Sequence, residues 1–174
     1  ASYGTGQWEN FLLFTNATSF GINDPLFHKD ISFYIFSLPF LTHIYSWLVF
    51  TIIVTIIATG FIYLTRRSFR FIPPRTWQVA PQARMHLAIL AAALFFWGTF
   101  GVWLELNEIL FTKRGVVFGP GYTEVTTQLW VLKTLMVVCI LCGLSAIYYA
   151  FRPDWRVPAG AILVFLLVAI VSRN

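Results

Sequence analysis

Few residues in this chain are equipped for chemistry, and their spacing limits which chemistry is open to them. Histidines stand at positions 28, 43 and 86. In a bilayer an imidazole can serve as axial ligand to haem or to a chlorophyll-type pigment. His43 falls near the start of one long apolar run and His86 just before the next. Consecutive membrane helices run antiparallel, so the two sit at opposite bilayer faces and cannot share a metal or a bis-histidine haem. A single axial bond from His43 or His86 to a pigment is the most either could supply. The competing reading is an interfacial imidazole hydrogen-bonded to a carbonyl or a headgroup. His28 reads as solvated.

Cys139 and Cys142 form a C-x-x-C. At a helix N-terminus such a pair gains a reactive thiolate. Here it lies in the middle of MVVCILCGL, where apolar surroundings keep thiols neutral and inert. Two thiols are also only half of a zinc site, so packing is the favoured role and no metal site is assigned. Lys133 is the one formal charge inside an apolar run. Intramembrane charges mark functional paths by default, but this one lies about a turn from the end of its run and can snorkel outward. Glu105 and Glu108 leave the preceding run on the same side. The three residues read as a structural ion pair pinning two helices, with a gated transport path as the alternative. Phosphate-loop, dinucleotide, zinc-protease and nucleophile-elbow motifs do not occur, so no catalytic residue is assigned and the chain does not read as an enzyme.

The elements that must position these residues follow from composition. Of 174 residues, 58% are hydrophobic and 11% charged, against about 25% charged in soluble domains. Mean hydropathy is +0.73. A soluble enzyme, a disordered chain and a disulfide-stapled module are all excluded. Spans are expected at about 41–64, 87–104, 129–151 and 157–172. The runs do not alternate as barrel strands would, so the expected fold is an all-α membrane protein, an up-down helix bundle. The last span is short, about 24 Å at 1.5 Å per residue, and crosses fully only if it continues. Ala88, Ala91, Ala92, Gly98 and Gly101 give the second span a surface for close packing, which marks it as central. Tryptophans near span ends read as an interfacial belt.

The net charge of +5 fits a membrane topology better than nucleic-acid binding, because the charges alternate by segment. Residues up to 40 sum to −2, 65–86 to +5, 105–128 to −1 and 152–156 to +1. The positive-inside rule puts 65–86 and 152–156 in the cytoplasm and the other two segments outside. Residues 1–40 therefore form an extracytoplasmic or interfacial segment ahead of a bundle over 41–174. Asp24-Pro25 starts a turn there, and Phe27, Phe33, Tyr34, Phe36 and Phe40 crowd the stretch that follows. The chain starts at Ala1 and ends just after an apolar run, which predicts a piece of a larger protein.

The stretch FGINDPLFHKDISFYIFSLPF, residues 20–40, resembles a hallmark of uncharacterised protein family 0182, as does NEILFTKRGVVFGPGYTEV, residues 107–125. The order of segments is similar too: aromatic stretch, span, arginine-rich loop ending in Arg84-Met85-His86, span, glycine loop, span. Pro120 departs from the pattern, standing where a small residue is more usual. The resemblance implies a bacterial polytopic membrane protein with further spans before this stretch and a large extracytoplasmic region after it. It implies a plasma membrane location, or the thylakoid in a cyanobacterium, and it implies no reaction.

These readings converge on a non-catalytic membrane scaffold or accessory subunit of a larger photosynthetic or respiratory complex. The alternative is a transporter or channel component using Lys133 with Glu105 or Glu108. The expected partners are the lipid bilayer and other membrane subunits, not nucleic acid. A chlorophyll-type pigment or a lipid is the bound group such a bundle could accommodate.

Overall fold

A computed structural model describes residues 2–66, 69–72, 76–109 and 127–173. The chain is an all-α membrane bundle built on the helices α1 (Ser2–Thr15), α2 (Leu38–Thr65), α3 (Pro81–Glu108), α4 (Leu129–Phe151) and α5 (Arg156–Arg173). Three helical stretches, Phe33–Thr65, Pro81–Glu108 and Leu129–Phe151, are long and apolar enough to cross a membrane, while the shorter apolar stretch Arg156–Ile170 accompanies α4. The glycine loop at 112–125, with Lys113, Arg114, Pro120 and Glu124, lies outside the described residues, as do Arg67 and Arg75.

Two local features add to what the sequence led us to expect. The first is a two-stranded antiparallel ribbon in the arginine-rich connection, β1 (Phe69–Ile72) against β2 (Thr76–Val79), with Phe69 opposite Val79 and Ile72 opposite Thr76. The second is α1, in a stretch that gives no apolar-run signal. It is held against the bundle by Phe11 and Phe14, whose rings meet Phe40 at 5.8 and 4.6 Å.

α2 is entered through a π turn at Phe33–Ser37. Pro39 has no N–H to donate and would crowd an α-helical carbonyl four residues earlier. A wider turn just upstream is a known way to absorb such a mismatch within a continuing helix. α3 starts more simply: Ala80 is extended, and Pro81 takes the first helical position, where its missing donor is harmless.

α3 is the central helix, packed against α2 on one side and α4 on the other, and α5 packs on α4. Buried residues of α4 include Leu132, Leu135, Cys139, Cys142 and Ala146, the alternating three- and four-residue spacing of a coiled-coil seam. Val102 and Leu106 of α3, with Ile109 just past its end, meet the outer part of that seam. Close approach is carried by two glycines. A Cβ at Gly101 would clash with the hydroxyl end of the Tyr45 ring, and one at Gly143 would lie 2.9 Å from the Phe96 ring. Gly98 faces open space, so not every small residue of α3 is a contact. Cys142 Sγ donates to the carbonyl of Ala161 at 3.3 Å, tying α4 to α5, and both cysteines are free and buried.

Candidate functional site

The densest polar structure among the described residues lies where the segment before α2 folds onto the end of α3. It begins with the Asp24-Pro25 turn. The Asp24 carboxylate accepts from the amides of Leu26 at 3.2 Å and Phe27 at 2.6 Å and from the Tyr34 hydroxyl at 3.3 Å. The turn closes when His28 N–H donates to the Asp24 carbonyl at 2.9 Å and Asp24 N–H to the Lys29 carbonyl at 2.8 Å. Closure needs left-handed backbone at His28, φ 55°, a region that histidine enters more readily than most residues. The imidazole itself is exposed.

Asp30 organises the other half. Its carboxylate accepts from the Ser19 hydroxyl and from the amides of Phe20 at 3.2 Å, Gly21 at 3.0 Å and Ser32 at 2.8 Å. The Ser19 hydroxyl above all, then the Ser32 amide, holds this carboxyl well below the usual carboxylate range. Asn23 and Asp30 pair across the loop as a single antiparallel bridge.

Between the two aspartates, Lys29 reaches into the bundle. Its Nζ donates to Asn107 Oδ1 at 2.8 Å. It also sits 4.2 Å from the centroid of Phe33 and 4.2 Å from that of Trp103. Partial burial pushes the ammonium pKa down from 10.5. Asn107 is 1% exposed and donates in turn to the Trp103 carbonyl at 2.6 Å. The result is a cation held between two ring faces with one amide acceptor, roofed over a cluster of Tyr34, Leu38 and Leu104. Cation–π contacts strengthen as the cation is desolvated, so these contacts hold the segment before α2 onto the end of α3. The joint contains no nucleophile–base pair, and among the described residues no three His, Cys, Asp or Glu side chains could hold a metal ion.

The residues singled out in the sequence lie around this joint and at the far end of the bundle. Glu108 accepts from the Thr42 hydroxyl at 3.0 Å, binding the start of α2 to the end of α3. Glu105 lies one turn back, exposed. Lys133 is exposed on α4 with its Nζ 5.8 Å from the ring centroid of its helix neighbour Trp130. His43 is half-buried beside Thr42. His86 Nδ1 pairs with the Tyr63 hydroxyl at 3.2 Å at the opposite end of α2. Residues 43 and 63 are separated by about 30 Å of helix, so the two imidazoles have separate surroundings. Trp97 and Trp103, read from sequence as belt residues, instead serve packing: Trp97 Nε1 donates to the Tyr45 carbonyl at 3.3 Å, and Trp103 forms one face of the Lys29 cage.

Sequence reasoning missed Lys29, Asn107 and Trp103 as a unit. The usable signal was a lone lysine inside an acidic, aromatic segment, together with a lone asparagine between Glu105 and Glu108 just past the end of the apolar run.

Comparison with known proteins finds relatives along nearly the whole chain. The chain is 34% identical over 166 residues to a UPF0182 protein of Desulforamulus reducens, covering 95% of this chain and 18% of that one. It is 36% identical over 154 residues to one from Trichlorobacter lovleyi, 88% and 17% covered, and 32% identical over 167 residues to one from Thermobifida fusca, 96% and 16% covered. The chain thus spans less than a fifth of the length of these relatives. No solved structure matches it. The family model for the Uncharacterised protein family (UPF0182) matches residues 1–174 throughout, and the chain belongs to that family.

Proposed function

We propose that this chain is a non-catalytic membrane scaffold, an accessory element that packs through α2 against another subunit of an energy-transducing membrane complex. The observation that carries this reading is a stripe on α2. Trp47, Phe50, Val54, Ile57, Phe61 and Leu64 recur at alternating steps of three and four and are each between 46% and 66% exposed. The same spacing on α4 makes the seam with α3. On α2 it presents large side chains that no other helix among the described residues covers, and the apolar core of the helix has no buried residue. The polar groups at the cap support the same reading, because Asp24, Lys29, Asp30 and Asn107 are engaged in joining the cap to α3.

In this proposal the cap and the end of α3 face outward, and the arginine-rich ribbon lies in the cytoplasm of a bacterium, following the charge asymmetry of the connections. The test is purification of the full-length protein in gentle detergent, with mass spectrometry of co-purifying chains and an absorption spectrum. A stoichiometric partner subunit, with or without pigment, is the expected result. A solitary, colourless protein overturns the reading.

A further inference from the structure

At the arginine-rich end of the bundle, α3 and α4 diverge and leave a groove of about 320 Å³, near the low end of the roughly 300–1,000 Å³ of small-molecule sites. Met85, Ile89, Ala93 and Phe96 line it from α3, and Ile147 and Phe151 from α4. Every lining residue is apolar, and the groove runs along two helices that are long and apolar enough to span a bilayer. A small polar ligand has nothing to bind there, whereas a hydrocarbon chain does.

Two cations adjoin the lining residues in sequence. Arg84 directly precedes the lining residue Met85, and Arg152 directly follows Phe151. The Nε of Arg84 is buried with no hydrogen-bond partner among the described residues. A buried donor without an acceptor is costly, and a guanidinium suits the paired oxygens of a phosphate. The acid at this end is Asp154, whose Oδ1 accepts from the backbone amide of Arg156 at 3.2 Å. Basic pockets between spans on the cytoplasmic side are the recurring setting for anionic headgroups.

We propose that this groove is a binding site for an anionic phospholipid, with one acyl chain between α3 and α4 and the phosphate on Arg84 and Arg152. The apolar lining selects the chain, and the two arginines that adjoin the lining in sequence select the charge. The site does not depend on the scaffold reading, since a solitary protein would hold the same lipid.

The test is native mass spectrometry of the delipidated full-length protein, titrated with dioleoylphosphatidylglycerol or dioleoylphosphatidylcholine. Preferential retention of the phosphatidylglycerol is expected. Arg84→Gln should weaken retention about fivefold, the share of one basic side chain at an anionic surface, and Arg84→Lys should restore only part of it, because an ammonium keeps the charge without the paired donors. Ala93→Trp, placed at an exposed lining position, should block retention while leaving the fold intact. Equal retention of the two lipids overturns the proposal. So does wild-type retention in Ala93→Trp, as when another span of the protein fills the groove. Displacement of the lipid by inorganic phosphate overturns it too, because the anion alone would then account for binding.

Discussion

Replacing Lys29 by Met keeps the length and apolar body of the side chain and removes the ammonium. Asn107 Oδ1, on a residue 1% exposed, then loses the donor at 2.8 Å. A buried acceptor left without a partner costs about 1–3 kcal/mol. Loss of the contacts to Phe33 and Trp103 adds about 0.5–1 kcal/mol each. Burial of the ammonium, which pushes its pKa down, offsets part of this, because Met has no charge to desolvate. The net loss is about 2–3 kcal/mol, and it falls on the joint between cap and α3 rather than on the α3–α4 seam. Hydrogen exchange in the full-length protein reads that local opening. The amides of Asp24, Ile31 and Phe33, all bonded within the cap, should exchange roughly 30- to 150-fold faster in Lys29→Met, while amides of α4 stay unchanged. The double variant Lys29→Met/Asn107→Leu removes both partners and should recover the part of the protection lost to the unsatisfied acceptor, while the part lost with the two ring contacts stays lost. Cap exchange within twofold of wild type in the single variant would refute the joint.

Other consequences are local. Asp30 has a folded pKa below its ordinary 3.8, so its contribution to stability is complete above that value and drains away as pH falls toward the folded one. Protection at the Gly21 and Ser32 amides, taken relative to the intrinsic exchange rate at each pH, should therefore hold steady from pH 7 to 5 and fall only below about 4, and Asp30→Asn should remove that acid dependence. Gly101→Leu drives a side chain into the Tyr45 ring and should destabilise by about 1–3 kcal/mol, whereas Gly98→Ala, with open space around it, should stabilise by up to about 1 kcal/mol; thermal unfolding of the two variants separates them. His28→Gly should raise the Tm by relieving the left-handed backbone at φ 55°, and His28→Val should lower it.

The helices were legible because charge interrupts apolar sequence at each turn of the chain: Asp30 and Arg66 bracket α2, and Arg152 and Arg156 bracket the turn into α5. Asp24-Pro25 was legible as a turn because proline restricts the residue before it. The Lys29 joint was not, because it closes between residues 78 positions apart, and nothing local distinguishes a caged lysine from a solvated one. α1 was hidden for a different reason. Its hold on the bundle comes from Phe11 and Phe14 against Phe40, a tertiary contact, and its own sequence is too polar and glycine-bearing to announce a helix. The tryptophans misled in the ordinary way: near a span end, an indole facing lipid and one facing a neighbouring helix look alike until the neighbour is placed.

The stripe on α2 gives the most direct test of the scaffold proposal. A photo-crosslinking amino acid at Ile57 of the full-length protein, expressed in its native host, samples whatever covers the middle of that face. A discrete adduct to a second, distinct polypeptide, repeated from Phe50 and Phe61 and absent from Ala88 on the packed face of α3, is the result that scaffolding predicts. Crosslinks to lipid alone, or only to other parts of the same polypeptide, would contradict it.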